Sequence, residues 1–142
     1  MDREKISVAN ASLIKFNSIE DERGVLTSIE EKKSIPFEIK RIFYMHHLKS
    51  DRGGHSHLDT DQLVIPINGS FTVTINDGKL EKSYLLDDCR VGLYIPRRLF
   101  TTLFDFDIND VCLVLANTHY NMAHSQRNWQ DFLKMKEKTE YA

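Results

Sequence analysis

The sequence predicts an all-β domain, an antiparallel barrel or sandwich with one short C-terminal α-helix. Three observations predict it. Short apolar or alternating runs recur along most of the chain, Gly, Asn and Asp residues punctuate them, and only residues 127–138 space their apolar side chains as a helix does. Strands at regular intervals with turn residues between them favour antiparallel sheets, because parallel α/β folds need helical crossovers.

Residues 13–16 read as a short strand, and Glu20-Asp21-Glu22-Arg23-Gly24 supplies a charged turn. Residues 25–30 alternate apolar with polar or small side chains, which predicts a half-buried strand. Pro36 interrupts, a β-rich run resumes over 38–45, and the glycine pair at 53–54 is expected to break it. Residues 62–67 lead through Asn68-Gly69 into 70–75, with Phe71, Val73 and Ile75 on one side. Asn76-Asp77-Gly78 is a hairpin signal, since a tight turn needs residues that tolerate positive φ. The chain returns over 80–86, and 92–96 with 99–106 make a further pair. Residues 111–116 are apolar enough to be buried on both faces, in the core or against a second subunit. In the final helix Trp129, Phe132, Leu133 and Met135 form the apolar side, with lysines opposite.

A chain of 142 residues without repeats, low-complexity tracts or a linker is expected to be one domain, 1–142. Its net charge of −2 gives no electrostatic case for nucleic acid or an anionic membrane. Two cysteines outside any CxxC pair suggest a reduced, cytoplasmic chain; Cys112 reads as core, and Cys89, following two aspartates, as no nucleophile. The charged start at residues 1–5 and the lack of a long apolar run predict neither a leader nor a membrane span.

The chemistry concentrates in Arg52-Gly53-Gly54-His55-Ser56-His57. On a strand, residues i and i+2 share a face, so His55 and His57 are expected to project together. A metal site is one reading, because H-x-H followed by a carboxylate and a glycine is how cupin barrels present metal ligands. Here the carboxylate's slot holds Gln62, Asp61 should face the other way, and residues 92–100 contain no histidine. Two imidazoles without an anionic ligand make a poor divalent site. Acid–base chemistry by the imidazoles is the second reading, since histidine titrates near neutrality, with Arg41, Tyr44 and Arg52 as neighbours for hydrogen bonding and anion binding. Exposed loop histidines are the third. His119 and His124 read as incidental exposure.

Arg41-Ile42-Phe43-Tyr44, the H-x-H segment, Gln62, Asn68-Gly69-Ser70, Gly92-Leu93-Tyr94-Ile95, Asp105-Phe106, residues 110–116, Tyr120 and Arg127-Asn128-Trp129 with Phe132 together form a longer pattern. In order and spacing they resemble the nucleotide-sugar 3,4-ketoisomerases of the FdtA/QdtA type, the WxcM-like C-terminal domains, over residues 15–133. The resemblance implies an RmlC-like cupin, a double-sheet jelly roll, that forms homodimers and uses neither metal nor cofactor. Its substrate would be dTDP-4-keto-6-deoxyglucose, converted through an enediol to a 3-keto sugar that supplies 3-amino-3,6-dideoxy sugars for surface polysaccharide. On this reading His55 and His57 transfer the protons, and Tyr44 orients the sugar or shuttles a proton. Arg41 binds the pyrophosphate or stabilises the enolate, while Arg23, Arg52, Gln62 and Arg97 reach the ligand. Phe43, where many relatives carry a second tyrosine, His46 and His47, Phe100 in place of a tryptophan, and Ser56 between the histidines depart from the pattern. The alternatives are the related 3,5-epimerase chemistry and a non-catalytic cupin that binds a sugar or a metal.

Overall fold

A computed structural model describes residues 5–140; the charged residues 1–4 lie outside them. With strands numbered in chain order, one five-stranded antiparallel sheet runs β1 (Ser12–Lys15), β9 (Val91–Ile95), β6 (Gln62–Asn68), β11 (Val111–Ala116) and β4 (Arg41–Met45). The other runs β12 (Ser125–Gln126), β5 (Arg52–His57), β10 (Phe100–Phe104), β7 (Phe71–Asn76) and β8 (Glu81–Leu86). A two-stranded hairpin, β2 (Asn17–Asp21) with β3 (Gly24–Ser28), stands apart, and α1 (Trp129–Glu140) ends the described chain.

The period-two pattern decides what faces inward. Phe71, Val73 and Ile75 are buried and meet Val64, Leu93, Ile95 and Val114 of the first sheet in the main core. Leu63, Ile65 and Leu115 bury the first sheet's other face against Phe16, Ile35 and Phe37. Asn76-Asp77-Gly78 makes the expected turn, with Gly78 at φ 97° and the Asp77 carboxylate accepting from the Lys79 and Leu80 amides.

β11 is an interior strand, paired with β6 on one side and β4 on the other, so of the two readings of its apolar run the core one holds. Two expectations need correction. β3 was expected to be half-buried; pairing with β2 alone leaves Ile19 and Leu26 67% and 62% exposed. The helix starts at Trp129, because Asn128 caps it: its side chain accepts from the Asp131 amide at 2.9 Å and donates to the Asp131 carboxylate at 3.1 Å. Arg127 is thereby left outside the helix.

Within α1, Phe132 is fully buried against Phe100 and Trp129. Lys136 is also buried, unlike a lysine of a solvated face; its Nζ donates to the Ile6 carbonyl at 2.8 Å. Burial alone would raise the pKa of Asp77, but amides from Leu80, Val8 and Lys79 and the charge of Lys136 bring it below the usual range.

Candidate active site

A cavity of about 500 Å³ lies between the two sheets, within the range of small-molecule sites. β4, β6 and β11 supply one wall through Arg41, Phe43, Met45, Gln62, Val64 and Val114. β5 and β10 supply the other through Arg52, His55, His57, Thr101 and Leu103. The segment between β11 and α1 closes a third side with Tyr120, Ser125 and Arg127.

His55 and His57 do project together, their rings edge to face with centroids 4.9 Å apart. The glycines before them do not end the preceding structure; they lie inside β5 at φ 90° and 74°. Thr101 pairs with His55 and Thr102 with Gly53, so Gly54 is the extra residue of a β-bulge. Only glycine fits at 53, where a Cβ would meet the Thr101 carbonyl at 2.6 Å. Ser56 points away from the histidine face and is buried, its hydroxyl donating to the Gln126 side chain at 2.7 Å.

Both imidazoles favour the neutral form. Burial lowers the pKa of His57 to about 4, helped by the charges of His55, Arg41 and Arg127 and opposed by Asp59. Burial likewise lowers His55; the Gly53 carbonyl works the other way as a hydrogen-bond acceptor, and Arg127 and Arg52 add to the lowering. Near pH 7 the pair therefore offers both an imidazole lone pair and an imidazole N–H to the cavity. His57 Nδ1 lies 3.2 Å from Ser125 Oγ.

Among the described residues, Arg41, Arg52 and Arg127 give the lining three cations and no carboxylate joins them, so it suits an anion. The Arg41 guanidinium lies over the rings of Phe43 and Tyr120, at 5.3 and 5.4 Å. Its buried Nε has no hydrogen-bond partner among the described residues. A buried donor left without a partner is costly and marks where a ligand acceptor fits. Among the described residues no three His, Cys, Asp or Glu side chains come together to hold a metal ion.

Five of the eight residues singled out from the sequence meet at this cavity: His55, His57, Arg41, Arg52 and Gln62. Three do not. Tyr44 is 63% exposed on the opposite face of β4, three residues from Arg41 and hence on the other side of the pleat. It borders a shallow recess with His46 and His47, whose Nδ1 atoms are 2.6 Å apart. Arg23 sits at the turn of the β2–β3 hairpin, its guanidinium paired with Asp21. Arg97 donates to Asp61 through its amide and its guanidinium; Asp61 also accepts from Asn117, and so faces away from the cavity as its place beside Gln62 requires. Sequence reasoning gave no role to Tyr120, Ser125 or Arg127, although Tyr120 and Arg127 stand in the recognised pattern. His124 is not incidental, since its Nδ1 lies 2.7 Å from the Asp59 carboxylate.

Two packed antiparallel sheets around a pair of titratable histidines define a cupin-type domain. The family model described as "FdtA: WxcM-like, C-terminal" matches residues 9–137. A TDP-4-oxo-6-deoxy-α-D-glucose-3,4-oxoisomerase of Aneurinibacillus thermoaerophilus is 37% identical over 124 residues, spanning 86% of this chain and 89% of the relative. The sugar 3,4-ketoisomerase QdtA of Thermoanaerobacterium thermosaccharolyticum, solved with TDP, superimposes with a TM-score of 0.89 at 38% identity, over 94% of this chain and 98% of that one. A histidine-to-asparagine variant of QdtA, solved with TDP-4-keto-6-deoxyglucose, aligns with the same TM-score at 36% identity, over 95% and 99% of the two chains. The chain belongs to the FdtA family, as its sequence pattern implies.

Proposed function

We propose that this chain converts a dTDP-linked 4-keto-6-deoxyglucose to the 3-keto sugar by metal-free acid–base catalysis, as a single catalytic domain, 1–142. The observation that carries the reading is the placement of His55 and His57, 4.9 Å apart, on the wall of a cavity rimmed by Arg41, Arg52 and Arg127. The C3 proton of the substrate is acidic because it lies alpha to the C4 ketone. One imidazole takes it, the C–H pair becomes the C3–C4 double bond, and the carbonyl pair moves to O4, which takes up a proton, giving the enediol. Return of a proton to C4 and loss of one from O3 leave the ketone at C3, with no net oxidation and no external electron carrier.

The chain's own residues divide this work. The imidazole pair moves protons, the Gln62 amide is placed to hold a sugar oxygen, and the arginines meet the diphosphate. Arg41 is the first choice because its Nε lacks a partner. The donors offered to a metal would be two imidazoles and an amide, a weak set for a divalent ion. Tyr44, Arg23 and Arg97 take no direct part at this chain's own cavity on this reading.

Incubation with dTDP-4-keto-6-deoxyglucose in deuterated water, followed by NMR, is expected to show the ketone at C3 and no deuterium at C5. Deuterium and inversion at C5 with the C4 ketone retained would make the protein an epimerase, and binding without turnover a sensor.

We infer further that the protein works as a homodimer in the cytoplasm. Ile19, Val25 and Leu26 on the hairpin and Ile42 on the β4 edge are exposed apolar side chains that a second copy would cover. Among the described residues no helix is long and apolar enough to cross a membrane. Light scattering is expected to give twice the chain mass, and an Ile19→Lys/Leu26→Glu variant half of that. A wild-type monomer at micromolar concentration would reject the dimer.

A further inference from the structure

We propose that Ser125 is a positioning residue for His57, a hydroxyl that holds the ring by Nδ1 while allowing its proton to reside on either nitrogen. This rests on the acid–base reading above and adds to it how one imidazole can accept a proton and return it within a turnover.

The contact is built rather than incidental. β12 pairs with β5 so that Ser125 stands opposite His57 and Gln126 opposite Ser56. The segment is fastened on both sides of Ser125: the Leu58 amide donates to the His124 carbonyl at 2.8 Å, and the Ser56 hydroxyl donates to Gln126 Oε1 at 2.7 Å. Ser125 Oγ is thereby held 3.2 Å from His57 Nδ1, leaving Nε2 for the cavity.

The type of group matters as much as its position. A carboxylate at Nδ1 would fix the proton there and make the ring more basic. This chain has such a carboxylate two residues beyond His57, and commits it elsewhere: Asp59 is engaged by His124 at 2.7 Å. A hydroxyl both donates and accepts. When it donates to Nδ1, Nε2 carries the proton and offers it as a hydrogen bond to a substrate oxygen; when it accepts from Nδ1–H, Nε2 presents its lone pair and acts as a base. If Nε2 takes a substrate proton, the imidazolium keeps Nδ1–H on Ser125 Oγ. Giving the proton back restores the neutral ring, so the cycle closes without another reactant. Burial of the ring, which holds its pKa low, keeps it neutral between these steps.

The test compares wild type with Ser125→Ala, Ser125→Thr and Ser125→Asp, using turnover of dTDP-4-keto-6-deoxyglucose against pH, TDP affinity by calorimetry, and ¹⁵N NMR of the His57 ring. Ser125→Ala is expected to lose at least about 10-fold in kcat, with KM and TDP affinity within about two-fold, and Ser125→Thr to recover most of the loss. Ser125→Asp is expected to move the acid limb of the pH profile upward and to fix the Nδ1–H tautomer. Ser125→Ala with unchanged kcat and pH profile would overturn the proposal, as would equal damage in the alanine and threonine variants together with lost TDP affinity. Should wild type not turn over the keto sugar, the functional reading fails and the NMR decides this one. Two populated His57 tautomers in wild type that collapse to one in Ser125→Asp support it, and a single fixed tautomer in wild type rejects it.

Discussion

Replacing His57 with asparagine is expected to cut turnover of the 4-keto sugar by about 100- to 10,000-fold, the usual worth of a general acid–base group, while TDP affinity stays near wild type. The asparagine amide occupies roughly the place of Nδ1 and can keep the contact with Ser125; what disappears is Nε2, the atom left to the cavity. Turnover within a few-fold of wild type would remove His57 from the chemistry. The same variant carries a pH signature in stability. His57 has a folded pKa of about 4, against about 6.5 for an unperturbed imidazole. Above pH 6.5 neither state holds the extra proton and the group contributes nothing to the pH slope. As pH falls from 6.5 to about 4 the unfolded chain takes up a proton that the native ring refuses, and stability drops by up to roughly 3 kcal/mol. His57→Asn should flatten that slope in urea titrations across this window. An identical slope in both proteins would mean that the native ring titrates normally.

Phe132→Ala is expected to have the largest effect on folding, about 3–5 kcal/mol, as for other buried aromatic truncations. Phe132 has no solvent exposure, and its ring packs 5.4 Å from Phe100 and 5.3 Å from Trp129, so the cavity left behind has rigid β10 on one side. For a chain of this size the loss corresponds to a fall in Tm of about 10 °C or more. Trp129 is the sole tryptophan, so its fluorescence reports the transition directly. A fall of only two or three degrees would mean that the helix contributes little to holding the second sheet.

Most strands, the turns at Asn68-Gly69 and Asn76-Asp77-Gly78, and the helix were legible because local periodicity and turn chemistry determine them. The shared face of His55 and His57 followed from strand alternation, and the outward Asp61 from its place next to Gln62. Tyr44 was misplaced although the same rule decides it: Arg41 and Tyr44 differ by an odd number, so the inward ring on β4 is Phe43. Arg97 and Arg23 were beyond local reasoning, because their partners or their detachment from the main sheets appear only once distant segments pair. Ser125 had no local signal at all; it faces His57 because of a two-residue ladder formed across 68 positions.

The glycine pair in β5 has a consequence for which sequence changes the site tolerates. Arg52 and His55 also differ by an odd number, yet both line the cavity, because Gly54 absorbs one step of the alternation. The strand thus contains a frameshift in its pattern of faces, encoded by one residue without a side chain. Loss of that residue would put the two halves of the strand back in one frame, turning either Arg52 or the histidines to the opposite face and, in the second case, presenting Ser56 where the imidazoles now stand. Substitutions around the cavity alter its chemistry one group at a time, whereas a single-codon deletion at this point would separate the cation from the bases.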